Sequence, residues 1–246
     1  MIEQLRPRIV PKKEWGGEIW FEGTSSLPVL VKLIFTVAKL SVQVHPDDAY
    51  AQAQGYARGK TEMWHVLAAQ AGAKIAAGFR ETVSEERVRA ASLSGEIVDL
   101  LAWQEARPGD TFFLPAGTVH AIGEGLVLYE IQQNCDITYR LYDYGRDREL
   151  HLHHALKVSH RGPMVVRRQA REGVLVSCEY FTTEKIRLKE PRVHVPAGDE
   201  IWIALEGSGE VEGAGFQAGE VFSVRGTAQT RLSGDAWLLR VATGPQ

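Results

Sequence analysis

Most of this chain is written in short, alternating runs rich in β-branched residues, each cut off after a few positions by Gly, Pro or Asp. Such punctuation excludes long helices and favours many short strands, the pattern of a jelly roll or barrel. Alternation marks strands over residues 30–44, 63–70, 74–79, 111–114, 126–133 and 137–142. One segment, 84–101, reads as firmly helical. Ser84 is its candidate N-cap, Glu85 and Glu86 fall in its first turn, and Val88, Ala91, Ile97, Leu100 and Leu101 form its apolar stripe. Residues 46–57 suggest a shorter helix within a loop, with Asp47 and Asp48 capping its start. A basic stretch with Gly and Pro at 159–173 breaks the pattern, and strands resume at 193–196, 200–205, 208–212, 220–224 and 236–241. Two domains are therefore expected, 1–160 and 174–246, with Pro115-Ala116-Gly117 and Pro196-Ala197-Gly198 as a faint internal repeat.

The 246 residues suffice for one large or two small domains, and 44% hydrophobic with 24% charged content is that of an ordinary globular protein. A net charge of −3, with Lys and Arg scattered, argues against nucleic acid and against an anionic membrane surface. Arg167-Arg168 reads as solvated surface. The N-terminal residues lack the apolar region of a signal peptide, and the most apolar stretch, 27–40, is interrupted by Lys32 and Lys39, so no membrane span is expected. Cys135 and Cys178, the only cysteines, read as partly buried, reduced thiols of a cytoplasmic protein.

Three stretches gather metal-ligating residue types: Gln43-Val44-His45-Pro46, Lys60-Thr61-Glu62 and Pro115-Ala116-Gly117-Thr118-Val119-His120. Residues two apart on a strand share a face. Gln43 and His45 therefore point together while Val42 and Val44 pack on the other side, and Lys60, Glu62 and Trp64 share a face opposite His65. Two imidazoles, a carboxylate and an amide oxygen converging inside a β-fold suit Zn²⁺, Mn²⁺, Fe²⁺, Co²⁺ or Ni²⁺. A lone inward His is more often a hydrogen-bonded core residue than a ligand; the company of all three stretches argues for ligation here. The tract His151-Leu152-His153-His154 has no carboxylate or cysteine cluster at a familiar spacing, even if His151 and His153 share a strand face, and is not read as a second site. His65, His160 and His194 read as structural or solvated, and Trp15, Trp20, Trp64 and Trp103 as core or cavity wall. The second half has His194 alone and no matching His/Glu set, so it is expected to bind no metal.

Gly109, Pro115, Gly117 and His120 stand at the spacing of the second signature of the cupin barrels. The fold class expected is thus mainly β: a cupin jelly-roll barrel with one short helical segment, followed by a smaller, metal-free β-domain of cupin type. More closely, residues 15–17, 41–48, 59–62, 114–122, 130–133 and 138–143 resemble the type I mannose-6-phosphate isomerases, nearest their short bacterial form, over roughly residues 12–158. The resemblance implies one Zn²⁺ per chain on Gln43, His45, Glu62 and His120, basic active-site residues at Lys60 and Arg140, and an acidic one at Glu130. It also implies an aldose–ketose isomerase that interconverts mannose 6-phosphate and fructose 6-phosphate, with a sugar phosphate as its partner, acting as a monomer or homodimer.

Moving a proton between C1 and C2 passes through an enediol, whose charge a metal or a basic side chain can offset. Lys60 could shuttle a hydroxyl proton if burial and the metal lower its pKa. Arg140 could offset enediolate charge or bind phosphate, and Glu130 is a candidate proton-transfer group. The plain structural alternatives are a solvated loop lysine at 60, an ion pair of Arg140 with Asp136 or Asp143, and a buried salt bridge at Glu130. Two other functions use the same residues: a cupin Fe²⁺ oxygenase and a non-catalytic sugar- or metal-binding cupin. Lys60 and Arg140 have no evident task in the first, and the complete ligand set argues against the second.

Overall fold

The computed structural model describes residues 1–165, 167–168 and 172–244, and the chain divides into two compact units. Val10–Ile19 and Leu30–Arg168 form the larger; Met1–Ile9, Trp20–Val29 and Gln169–Gln246 form the other. A linear reading places residues 1–9 and 20–29 with the first domain. Long-range pairing takes Ile2–Gln4 elsewhere: it runs antiparallel to Val221–Val224, with Ile2 opposite Val224, whereas Arg6–Ile9 pairs with Gly16–Glu22.

The larger unit is built on two antiparallel sheets. One runs in the order Tyr139–Tyr142, Val42–Val44, His120–Ile122, Lys74–Phe79, Leu101–Glu105. The other carries Thr111–Leu114, Glu62–Ala69, Leu126–Gln133 and Val29–Thr36 as successive neighbours. Hydrogen bonding closes neither sheet, so the expected barrel is realised as two open sheets.

Strand alternation sorts the apolar side chains into two cores. Val42, Val44, Ala76 and Ala121 pack with Val88, Ala91, Ile97, Ala155 and Leu156 on the helical side. Ile75, Ala77 and Ile122 turn the other way, onto Trp64, Val66, Phe112, Leu114 and Leu128 of the second sheet. Burial on both faces is why these strands are so apolar. Gln43 and His120 stand directly opposite one another, on the face turned away from Val42, Val44 and Ala121.

Helix is more abundant than the firm segment at 84–101 and the shorter one suggested at 46–57. Residues 84–101 hold two helices, Glu85–Ser94 and Ile97–Leu100, because Gly95 adopts φ +89° and ends the first. Ser84 caps that first helix, its hydroxyl accepting from the Arg87 N–H at 3.2 Å. Asp47 caps Asp48–Ala53 by accepting from the Tyr50 N–H at 2.8 Å. The histidine tract opens a further helix, Leu152–Val158, so His151 and His153 share no strand face. Leu152, Ala155 and Leu156 give that helix an i, i+3, i+4 stripe, which the interleaved histidines and Lys157 disguise.

Residues 30–44 are not one strand either. Val29–Thr36 and Val42–Val44 belong to different sheets, and the chain bends between them. In the smaller unit the two strands expected over 200–212 are one, Glu200–Val211, carrying a bulge between Ala204 and Glu206. It pairs with Thr230–Thr243 at the centre of a sheet whose core holds Trp202, Phe222, Leu232 and Leu238. Among the described residues this unit shows no metal-ligating cluster, and His194 is bonded to the buried Glu200 at 2.8 Å. The side chains of Arg167 and Arg168 lie outside the described residues. Cys135 and Cys178 are free thiols, both partly buried. Among the described residues no helix is long and apolar enough to cross a membrane.

Gly117 holds the turn that delivers His120. Its φ is +85°, and an added Cβ would meet the His160 ring at 2.6 Å and the Val158 carbonyl oxygen at 2.9 Å. Left-handed backbone alone costs a non-glycine residue roughly 1–2 kcal/mol. Gly117→Ala is therefore expected to lower unfolding stability by at least about that much, measured by denaturant titration; an unchanged midpoint contradicts this role.

Candidate metal centre

His45, Glu62 and His120 come together with their ligand atoms within 4.8 Å of one another, all three side chains buried. Each arrives from a separate stretch. His45 follows the strand Val42–Val44, Glu62 opens Glu62–Ala69, and His120 opens His120–Ile122. Both imidazoles are oriented from behind. His45 Nδ1–H donates to the Ile137 carbonyl at 2.8 Å, and His120 Nδ1–H to the Thr118 carbonyl at 2.8 Å. These bonds fix the tautomer and leave each Nε2 lone pair directed at the centre, the usual arrangement behind a ligating histidine.

The donor separations fit an ion. His45 Nε2 lies 3.6 Å from Glu62 Oε2, and His120 Nε2 lies 3.4 Å from Glu62 Oε1. A tetrahedral ion with bonds of about 2.0–2.1 Å holds its donors about 3.4 Å apart. His45 Nε2 and Glu62 Oε1 are buried without a hydrogen-bond partner. Orphaned polar atoms are costly in an interior, and a divalent cation would satisfy both. Gln43 lies beside them, its Nε2 3.3 Å from His120 Nε2 and its Oε1 accepting from the Ser41 hydroxyl at 3.2 Å. Turning the amide over exchanges its oxygen and nitrogen without moving the side chain, which presents Oε1 to the centre.

A ladder of charges leads away from Glu62. Lys60 Nζ lies 3.0 Å from Glu62 Oε2 and 3.7 Å from Glu130 Oε1. Lys32 Nζ lies 3.3 Å from Glu130 Oε1 and 3.0 Å from Asp136 Oδ1. Trp64 Nε1–H donates to Glu130 Oε2 at 2.9 Å. Lys60 is therefore no solvated loop residue. Glu130 does form buried ion pairs, but with two cations at once. Arg140 forms no ion pair with Asp136 or Asp143 among the described residues; its Nη1 donates to the Glu149 carbonyl at 2.8 Å. Lys32 is a site residue that sequence reasoning passed over as a mere interruption of an apolar run. A lysine at a core-facing position of an otherwise buried strand was the available signal.

Protonation follows this geometry. Burial, reinforced by Lys60, holds His45 well below its ordinary value. Burial lowers His120 to about 4. Both imidazoles are thus neutral, as ligation requires. Burial and the neighbouring Glu130 push Glu62 up to about 7 against the pull of Lys60. For Glu130 burial works in the same upward direction, but Lys60 and Lys32 outweigh it and hold the carboxyl at about 2. Burial alone would lower Lys60, yet Glu130 and Glu62 overcome it and raise the ammonium above its ordinary value. That reverses the lowered pKa expected from burial; an ion on Glu62 would remove one of the two carboxylates responsible.

The ladder opens into a cavity of about 380 Å³ lined by Trp15, Gln43, Lys60, Glu130, Tyr139 and Arg140, among others. Buried Lys60 and Glu130 form its inner wall, and half-exposed residues form its rim. This arrangement can hold a divalent ion beside a small polar molecule, with ammonium groups ready to balance negative charge.

Metal affinity carries a pH signature. Below about pH 7 an incoming ion must displace the Glu62 proton, whereas neither imidazole needs deprotonating. Affinity for a divalent probe such as Zn²⁺ is expected to rise about tenfold per pH unit below that value and level off above it. Competition against a chromophoric chelator measures this; equal affinity at about pH 6 and pH 8 contradicts it.

No protein-family model matches the chain. It is 40% identical over 175 residues to a mannose-6-phosphate isomerase of Streptococcus mutans, an alignment covering 66% of this chain and 55% of that protein. It is 39% identical over 176 residues to mannose-6-phosphate isomerase ManA of Bacillus subtilis, covering 65% and 56% respectively. The chain thus spans little more than half the length of these curated relatives. Its structure matches the crystal structure of a mannose 6-phosphate isomerase from Bacillus subtilis with a TM-score of 0.85 at 25% identity, covering 97% of this chain and 98% of that one.

Proposed function

We propose that this chain, a member of the mannose-6-phosphate isomerase family, interconverts mannose 6-phosphate and fructose 6-phosphate through an enediol. The observation that carries this reading is the joining of a buried His/Glu/His centre to Lys60, which bonds Glu62 and lines the adjoining cavity: a metal-ligating set alone would serve many cupins, but an aldose–ketose isomerase also gains from fixed cations beside the enediolate oxygens. His45, Glu62 and His120 would hold the ion, with Gln43 as fourth donor through Oε1. The imidazole and carboxylate donors suit Zn²⁺, which would supply Lewis acidity toward the sugar oxygens O1 and O2.

The remaining work falls to side chains of the chain itself. Lys60, held as an ammonium by Glu130 and Glu62, gives a proton to the ring oxygen as the sugar opens, regains one from the anomeric hydroxyl, and as an ammonium again balances enediolate charge. Glu130 stays ionised between Lys60 and Lys32 and keeps both ammonium groups in place. Arg140 lines the same cavity and offsets negative charge on the substrate. Trp15 and Tyr139 wall the cavity against water, strengthening each of these interactions. A cytoplasmic setting, with both thiols reduced, accords with this role.

The test is anaerobic conversion of fructose 6-phosphate to mannose 6-phosphate, before and after chelation and Zn²⁺ add-back. Turnover that stops on chelation and returns with metal is expected. Lys60→Met should lower kcat roughly 100- to 10,000-fold while leaving metal content unchanged. Turnover that requires O₂, or none from folded, metal-loaded protein, contradicts the isomerase reading.

A further inference from the structure

The cavity is lined by two chemically different groups of residues. At the inner end lie Gln43, Lys60 and Glu130, next to the metal-ligating residues. Lys13, Arg148 and His151, all at least partly exposed, line the cavity as well, as does the partly exposed Arg140, whose backbone stands in register with Gln43 on the neighbouring strand. Five cations line the cavity, Lys13, Lys32, Lys60, Arg140 and Arg148, against three carboxylates, Glu18, Glu130 and Asp136. Two of those carboxylates, Glu130 and Asp136, are engaged by Lys32 and Lys60. The rim is thus left with an excess of positive charge.

That charge is held rigidly. Asp143, itself only 2% exposed, grips Arg148 in a two-pronged pair: Nε to Oδ2 at 2.5 Å and Nη2 to Oδ1 at 2.7 Å. Such a fork fixes the guanidinium plane. Asp143 also binds Arg146 at 2.8 Å, so one carboxylate serves two guanidinium groups and neutralises only half of their charge. Arg148 Nη1 takes no partner among the described residues. The next residues clamp Arg140 to the same rim. Arg140 Nη1 donates to the Glu149 carbonyl at 2.8 Å, the Arg140 backbone N–H to His151 Nδ1 at 3.1 Å, and the His151 N–H back to the Arg140 carbonyl at 2.8 Å. With Nδ1 accepting, the neutral His151 ring carries its proton on Nε2. Arg140 Nε is buried with no hydrogen-bond partner. Among the described residues Arg140 Nε and Arg148 Nη1 are thus donors without a protein acceptor, while His151 Nε2 lies 4.0 Å from the exposed Glu149 carboxylate.

We propose that Arg148, aimed by Asp143, is a specificity-determining residue that grips the phosphate of the substrate, with Arg140 and His151 as flanking donors. This rests on the isomerase reading, in which C1 and C2 lie at the metal end and the phosphate on C6 reaches the other end of the cavity. A phosphate dianion offers paired oxygens to a guanidinium edge, and a rim fixed before the ligand arrives loses little freedom on binding. Asp143 is a positioning residue: it touches no substrate and acts by orienting Arg148.

Two measurements test the assignment, one without turnover. Inorganic phosphate is titrated calorimetrically into metal-free wild-type protein, Arg148→Gln and Arg148→Lys, and KM and kcat for mannose 6-phosphate are measured on the Zn²⁺-loaded forms. Arg148→Gln is expected to weaken phosphate binding roughly 10- to 100-fold and to raise KM comparably, with the loss carried by KM rather than kcat. Arg148→Lys, which keeps the charge but not the fork, should recover part of both. Because Arg148 lies on the rim, its replacement leaves the buried core intact. Active Arg148→Gln with unchanged phosphate affinity and KM overturns this assignment and leaves the isomerase standing. Arg148-dependent phosphate binding by a wild type that isomerises no hexose phosphate keeps the anion site and rejects the isomerase. Phosphate affinity equal in all three proteins marks binding of an adventitious ion only and overturns the proposal.

Discussion

Glu62 is a carboxylate that water does not reach, and much of the larger unit is arranged around that fact. An ionised group in a protein interior must be compensated by opposite charge and hydrogen bonds or it takes up a proton. Lys60 supplies part of the compensation at 3.0 Å. It is not enough, since Glu62 still rises to about 7 through burial and the neighbouring Glu130. The two imidazoles facing Glu62 are neutral and offer lone pairs, which add electron density where charge is already negative. A site made only of protein atoms is therefore under-compensated, and a divalent cation resolves the imbalance.

Glu62, Lys60, Glu130, Lys32 and Asp136 alternate in sign from the centre to an exposed carboxylate. Each buried charge is offset by its neighbours, and the cost of burying the row is spread along it. Such a row does more than stabilise: it keeps two ammonium groups fixed at the cavity, so that negative charge on a bound molecule would meet cations already in place. The β-architecture makes this possible because alternate residues of one strand serve different cores. Val42 and Val44 anchor the strand on the helical side and leave Gln43 free to face His120.

The clustering of His45, Glu62 and His120 was legible in the sequence because it depends on short-range geometry. Two-residue alternation put Gln43 and His45 on one face and set Glu62 with Trp64, and the Pro-x-Gly turn placed His120 at a strand start. Lys32 was not legible, since its meaning comes from Glu130 and Asp136, about a hundred positions away in the chain. The placement of Arg148 and His151 at the cavity was not legible for a similar reason: it appears only once Asp143 and Arg140 are seen to hold them. Helical content was underestimated because a seven-residue helix such as Leu152–Val158 has too short a stripe to stand out. Likewise no local pattern announces that Ile2–Gln4 pairs with Val221–Val224, although the alternation identified most strands of both halves.

The central claim is a single metal centre built from nitrogen and oxygen donors of three separate stretches. X-ray absorption at the zinc edge, on protein loaded with one equivalent of Zn²⁺, tests it most directly. The account predicts two imidazoles with oxygen donors, no sulfur, and loss of that spectrum in His120→Ala. Sulfur ligation, or an unchanged spectrum in His120→Ala, would place the ion elsewhere and contradict the account.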